Sequence, residues 1–259
     1  MIDMTTSTRE RIIEAATKLL ASGGREAVTT RAVSAAAGVQ PPTIYRQFGD
    51  MRGLLNAVAS RGFAAYIEQK VTQGHSDDPV EDLRWGWDLH VAFGLANPAI
   101  YALMYGEPRP EAVPTAVREA ADILHSIMQR VAEAGRLRVS VDRAAAISHA
   151  AGVGVTLSLL ALRPDERDDR LSSMTREAVL AAVTVDSPTG TTSAGDLDSR
   201  VASRAVALKA VLPNAAGDLT PGERTLLAEL LDRLSQSDGQ SLPGLIVPLP
   251  TERSSPRFG

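Results

Sequence analysis

Apolar residues recur along most of this chain at intervals of three and four, with no sustained alternation, so the pattern predicts helices and no convincing strand. Ile12, Ile13, Ala16, Leu19 and Leu20 follow that spacing behind Ser7-Thr-Arg-Glu10, a capping box, and Gly23-Gly24 marks the predicted end. Two short helical runs hinge at Gly38-Val39. The first, with Thr30 as expected N-cap, places Val33, Ala36 and Ala37 on one face; the second opens on Pro41-Pro42, tolerated where helical N–H groups have no partner anyway. A further helix, about 51–71, carries Leu55, Val58, Phe63, Tyr66 and Ile67 until Gly74 to Pro79 interrupts it. Leu83, Trp87, His90 and Gly94 then share a face until Asn97-Pro98 breaks the next helix. Ile100 to Tyr105 is short and aromatic, and Gly106 to Pro114 reads as a loop. Over 115–134, Val117, Ala121, Leu124, Met128 and Val131 are expected inward. Residues 141–162 are apolar nearly all round, which demands burial on both sides, and another helix is expected over 166–185.

Beyond Asp186 to Asp196, a linker by composition, two more helices are predicted. One spans 197–212 with Leu197, Val201, Leu208 and Leu212 on one side. The other spans 221–234, opened by the Thr220-Pro-Gly-Glu223 box and carrying a leucine face at 226, 227, 230, 231 and 234. Residues 240–259 hold four prolines and read as an extended tail.

The stretch Thr30 to Leu55 carries the most specific chemistry. Ile44 and Phe48, four apart, face inward, leaving Thr43, Tyr45, Arg46 and Gln47 outward as hydroxyl, phenol, guanidinium and amide, groups that reach phosphates and base edges in a major groove. Two short helices joined at Gly38 with such a face form a helix-turn-helix. Here the chain resembles the TetR (tetracycline-repressor-like) family of bacterial transcription regulators, at Thr30, Ala37, Gly38, Val39, Thr43, Ile44, Tyr45, Phe48, Leu54 and Leu55. It departs from the family pattern at Gln40, where a serine is usual, at Gln47 for histidine, at Asp50 for serine, and at Met51-Arg52 for Lys-Glu. In the family that lysine contacts phosphate; Arg52, one position later, is the candidate to replace it. Thr30 and Arg31 are expected to clamp the backbone, and Gln40 and Pro41 complete the expected DNA-contacting set.

Charge sharpens this picture. The net charge is −4, yet residues 1–62 hold eight Lys/Arg against five acids, +3, which leaves −7 for the rest. A basic head on an acidic body suits a protein that meets DNA through its N-terminus, because phosphate attraction acts within a Debye length. With no cysteine, disulfides, Cys-ligated metals and thiol nucleophiles are excluded. His75, His90, His125 and His149 show no metal-ligand spacing, and neither a phosphate loop nor a G-x-S-x-G turn is present. No cofactor, metal or enzymatic activity is expected. Without an apolar run of about 18 residues or a signal-type N-terminus, a cytoplasmic protein is expected.

Trp85, Trp87, Phe93, Tyr101, Met104 and Tyr105 crowd into one short stretch of a chain with few aromatics. They either fill core volume or line a cavity for an apolar effector. The expected ligand-binding set is Trp87, His90, Tyr101, Met104, Tyr105, His125 and Met128. Gly152 and Gly154 permit close helix–helix approach. In the family two late helices from each chain form the dimer interface, so the resemblance implies a seam at His149, Gly152, Gly154 and Thr156; the alternative is a fully internal helix of a monomer. The stretch 93–108 also resembles the regulatory domain of one subgroup of the family.

The expected architecture is all-α: a helix-turn-helix DNA-binding domain (1–62), a larger helical effector-binding and dimerisation domain (63–186), a linker with two additional helices (187–236) and a Pro-rich tail (237–259). The expected function is that of a homodimeric regulator, a repressor released from a palindromic double-stranded DNA operator by a small apolar or amphipathic effector, with no membrane partner. An effector-free or partner-gated regulator is the alternative, and a helical enzyme a more distant one.

Overall fold

A computed structural model describes residues 7–73, 76–106, 113–185, 196–214 and 219–235. His75, most of the loop after Gly106, the 186–195 linker and the tail from residue 236 lie outside the described residues. All described elements are helical, apart from an isolated bridge between Leu137 and Thr184.

Helix α1 (Thr8–Ala27) starts at the expected box: the Ser7 N–H donates to Glu10 Oε2 at 2.9 Å and the Glu10 N–H to Ser7 Oγ at 3.2 Å. Gly23 and Gly24 leave helical backbone angles, Gly24 at φ 64°, but a further turn follows, so the predicted end is a kink within a longer element. Helix α2 (Thr30–Ala37) is capped by Thr29, not Thr30: extended Thr29 accepts the Ala32 N–H on Oγ1 at 3.2 Å. Its buried face is Val33, Ser34 and Ala37, with Ala36 exposed. Gly38 takes the left-handed conformation at φ 65°, and α3 (Pro41–Phe48) follows. Asp50 Oδ1 accepts the Gly53 N–H at 2.7 Å and so starts α4 (Met51–Gln73), doing the work of the family's serine.

Helices α5 (Pro79–Ala96), α6 (Pro98–Tyr105), α7 (Thr115–Glu133), α8 (Val141–Leu160) and α9 (Leu171–Val183) build the body. One hydrophobic cluster runs without a break from Ile12, Val33 and Ile44 through Leu54 and Phe63 to Tyr101 and Ala116, so head and body share a core. A second, around Val80, Met128, Val131 and Val183, takes in Val206 and Ala210 near the C-terminus, and a third joins Trp87, Val91, Val155, Leu159 and Val179. Helix α9 is held to α5 by the Arg84–Glu177 pair at 3.2 Å and by Arg176 paired with Asp88.

On α7 the inward set is Ala116, Ile127, Met128 and Val131, while Val117 and Leu124 are half-buried and Ala121 is exposed. Helix α8 is not covered on both sides within one chain. Ala144, Ser148, Gly152, Val155, Thr156 and Leu159 are buried; Ile147, Ala150 and Gly154 face outward. By length and composition α8 passes for a membrane span, although no uninterrupted apolar run was read there; it packs on α5, α7 and α9 as a body helix.

The C-terminal pair, α10 (Asp196–Val211) and α11 (Pro221–Ser235), departs most from the apolar pattern. Helix α10 joins the α7 cluster through Val206 and Ala210 and also buries Ala202 and Ala205, leaving Val201 and Leu208 45% and 47% exposed; of the face expected there, Leu212 is buried. The buried face of α10 is mostly small side chains, which permit closer helix–helix approach than a leucine ridge. Helix α11 packs on α10 and buries Leu231, leaving Leu226, Leu230 and Leu234 exposed.

Candidate DNA-binding face and effector cavity

Helix α3 is anchored by Ile44, which is wholly buried, and by Phe48, whose ring lies 4.9 Å beneath the Arg9 guanidinium of α1. This cation–π contact was not anticipated, since nothing local in the sequence pairs residues 9 and 48. With that face fixed, Tyr45, Arg46 and Gln47 project into solvent and Thr43 is half-buried. Pro41 occupies the first turn, and Gln40 makes no side-chain cap bond, which leaves its exposed amide outward. Because Thr29 takes the capping task, Thr30 Oγ1 and Tyr45 OH share a hydrogen bond of 3.1 Å across the two motif helices. The phenol is thereby oriented before any DNA arrives. Arg31 is exposed beside it. Arg52 is exposed as well, but its Nε donates to Asp50 Oδ2 at 3.3 Å. The Gly53 N–H, with smaller help from Arg52, holds the Asp50 carboxyl below its ordinary range, so the exposed Arg52 guanidinium carries an ionised partner.

Arg46 is the sharpest test of this face. Replacing it by alanine should cost about 1–3 kcal/mol of binding and relax preference at one base pair if the guanidinium reads a guanine, whereas a phosphate contact would weaken all sequences evenly and flatten the salt slope by about one unit. Salt-dependent binding to a selected duplex separates the two. Unchanged affinity in alanine variants at all of 43, 45, 46 and 47 would remove α3 as the reading helix.

Behind the head, α4, α5, α6, α7 and α8 enclose a cavity of about 50 Å³, within about 500 Å³ of space that includes its open mouth. Of the expected ligand-binding residues, Trp87, His90 and Tyr105 line it. Tyr101 is wholly buried behind them, its hydroxyl 2.8 Å from His90 Nε2. Met104 and Met128 are core residues in two different clusters and reach no wall. His125 lies elsewhere, exposed, 3.1 Å from Asp142 in a cleft between α7 and the C-terminal helices.

Residues expected at the dimer seam mostly turn inward. His149 and Gly152 line the cavity, a Cβ on Gly152 standing 3.7 Å from both His90 and Trp87. Thr156 is wholly buried, donating to the Gly152 carbonyl at 2.7 Å with its methyl against Gly94. Gly154 alone of the four faces outward, with nothing within 4 Å of a Cβ built there. The polar wall residues Tyr66 and Ser148 were missed, as were the apolar ones from α5 and α7; a serine on an apolar helix was the available signal for Ser148.

The cavity walls carry unmet polar groups. Tyr105 OH and Ser148 Oγ are both buried and have no hydrogen-bond partner among the described residues. The Tyr105 ring lies 5.9 Å from that of His90 and 5.5 Å from that of His149. Burial pushes the His149 imidazole below its ordinary pKa and the Tyr105 phenol above its own, so near neutral pH both are uncharged.

Residues 12–58 match the family described as bacterial regulatory proteins, tetR family. The chain is 24% identical over 176 residues to the HTH-type transcriptional regulator AlkX of Mycobacterium tuberculosis, a match spanning 65% of this chain and 82% of that protein. Its fold is similar to a putative tetR family transcription regulator from Shewanella, at TM-score 0.55 and 18% identity over 70% of this chain and all of the other. It is similar also to the transcriptional regulator FadR from Bacillus subtilis in complex with stearoyl-CoA, at TM-score 0.54 and 18% identity, covering 66% and 97% of the two chains. With the helix-turn-helix built and its second helix exposed, these likenesses converge: residues 12–58 carry a helix-turn-helix of the tetR family type, the DNA-binding part of a transcriptional regulator, and the fold of the chain is similar to that of such regulators.

Proposed function

We propose that the protein is a repressor that binds a palindromic operator as a homodimer and leaves it when a small apolar or amphipathic molecule enters the cavity. The observation that carries this reading is Tyr66: it belongs to α4, whose first turns pack against the DNA-binding helices, and its side chain forms part of the cavity wall. A ligand against Tyr66 presses on the element that positions the head. The FadR likeness, with its bound stearoyl-CoA, supports a ligand-accepting body in this fold. Two recognition helices must meet successive major grooves about 34–36 Å apart, and an effector shifts the population away from that spacing by no more than its differential affinity for the two states. Selection of a binding site from random duplexes, followed by footprinting, tests the operator; loss of that footprint with cell-extract fractions tests the effector. A footprint without symmetric halves, or one that no fraction releases, contradicts the corresponding half of the reading.

The dimer seam in this reading is the outer stripe of α8, at Ile147, Ala150 and Gly154, with that of α9, at Leu171 and Met174, the latter 62% exposed. Gly154→Leu meets nothing within the chain, so it should leave the melting of an isolated protomer unchanged while overpacking a dimer seam by about 1–3 kcal/mol. Sedimentation should then show monomers with weakened operator binding. A variant that remains dimeric with full affinity places the interface elsewhere.

A partner-gated regulator is the second reading, favoured by the exposed leucine stripe at 226, 230 and 234 on α11. Copurification of a protein whose dissociation, and not a small molecule, restores DNA binding would favour it.

A further inference from the structure

The cavity's own chemistry narrows what it accepts, granted that it is the effector site. We propose that its ligand is an uncharged molecule, aryl or short-chain, whose buried end carries a carbonyl-type oxygen that accepts hydrogen bonds from both Tyr105 OH and Ser148 Oγ, and that carboxylates and acyl-CoA thioesters with their phosphates are excluded.

The argument starts from which polar groups are already occupied. Trp87 Nε1 donates to Ser172 Oγ at 3.1 Å and His90 Nε2 is bonded to Tyr101 OH at 2.8 Å. Both walls are thus held by the protein itself. On α8, Thr156 and Ser158 turn their hydroxyls back to carbonyls four residues earlier, at 2.7 and 2.8 Å, the ordinary resting place of a hydroxyl within a helix. Ser148 does not, and its buried oxygen is left without a partner, as is that of Tyr105. A buried hydroxyl gives up water on folding and recovers nothing until something bonds it. Two such groups on the wall of one cavity are a standing preference for a ligand oxygen, and a carbonyl has two lone pairs with which to accept from both.

Charge is excluded by what the wall lacks. No described residue lining the cavity is Asp, Glu, Lys or Arg. A carboxylate or a phosphate would therefore lose its hydration without a counter-ion, and His149, kept neutral by burial, offers none. The aromatic rings of Tyr66, Trp87 and Tyr105 raise the opposite case, a cation held by cation–π contacts. The two unmet hydroxyls favour an oxygen over a cation, which supplies no acceptor for their protons. Size agrees, since the enclosed space of about 50 Å³ holds only the end of a small molecule, the remainder lying in the mouth.

Calorimetry and ligand-detected NMR on the full-length protein test this with acetophenone, cumene and benzoate, which share one heavy-atom count, together with trimethylphenylammonium and stearoyl-CoA. Acetophenone should bind, and benzoate, trimethylphenylammonium and stearoyl-CoA should bind more weakly than it does. In Ser148→Ala and Tyr105→Phe proteins the affinity of acetophenone relative to cumene should fall by roughly tenfold, with melting temperatures at or above that of the wild type because each change removes an unpaired buried hydroxyl. An unchanged acetophenone-to-cumene ratio in both variants, tighter binding of any charged probe, or binding of none of the five overturns the proposal. Release of the protein from its selected duplex is scored separately: hydroxyl-dependent ketone binding without release upholds the cavity chemistry and removes the effector reading, and release by a compound whose binding ignores both hydroxyls does the reverse.

Discussion

Truncating Phe63 to alanine should lower the free energy of unfolding by about 3–5 kcal/mol, the cost of removing a buried ring that its neighbours cannot replace. Phe63 is 1% exposed. Its ring stacks on Tyr66 at 4.6 Å and meets Phe93 edge-on at 5.5 Å. Those two rings are themselves in contact at 5.2 Å and belong to different helices, α4 and α5, so collapse into the vacated space would require one helix to shift against the other. Because the cluster that contains Phe63 runs from Ile12 to Ala116, the damage is not confined to the body. DNA binding should weaken along with stability, although residue 63 is buried well away from the exposed face of α3. Urea unfolding followed by far-ultraviolet circular dichroism measures the first effect, and titration of a selected duplex the second. Phe63→Leu should retain more of both, since it leaves a smaller cavity than alanine does. A Phe63→Ala protein within about 1 kcal/mol of wild type would show that the shared core is far softer than its burial implies.

What the sequence made legible follows from how local each signal is. Caps, proline starts and glycine stops act within four residues, and so the Ser7–Glu10 and Thr220–Glu223 boxes and the turn at Gly38 stand where the pattern put them. Thr29 and Thr30 are both good caps by type, and only the backbone, extended at Thr29, decides between them. The exposed face of α3 was legible because Ile44 and Phe48 define the opposite side of a short amphipathic helix. Helix α8 gave no such purchase. With apolar or small residues all round, its sequence does not say which side meets the body, and His149, Gly152 and Thr156, expected at a dimer seam, face α5 and the cavity. Helix α10 failed for a related reason, since periodicity marks Val201 and Leu208 as its sticky face while the buried residues are Ala202, Ala205, Val206 and Ala210. The cavity itself was half legible: clustering along the chain brought out Trp87, His90 and Tyr105, but Tyr66 and Ser148 arrive from helices distant in sequence, and no short-range rule joins them.

Trp87 is where stability and regulation separate most clearly. The ring is 7% exposed, packs among Val91, Val155, Leu159 and Val179, and lines the cavity with one edge while its Nε1 donates to Ser172 Oγ at the start of α9. Trp87→Ala should therefore cost about 3–5 kcal/mol of stability, a loss large enough to obscure any regulatory effect. Trp87→Phe is the cleaner probe: it keeps most of the apolar contact, removes the indole N–H, and leaves Ser172 half-buried and able to turn to water, so its cost should be nearer about 1 kcal/mol. The DNA-binding helices belong to a different hydrophobic cluster, so operator affinity should be unchanged in the phenylalanine variant. If the cavity is the regulatory site, the concentration of ketone needed to release half the bound DNA should rise by roughly tenfold, because the altered wall changes the ligand's preference between the two dimer states. Ser172→Ala, which deletes the same hydrogen bond but keeps the ring, should leave ligand affinity intact and perturb only the tie between α5 and α9. A Trp87→Phe protein that melts earlier yet releases DNA at the wild-type ketone concentration would reduce Trp87 to filler of core volume, and the aromatic cluster that drew attention to this stretch would then report packing rather than recognition.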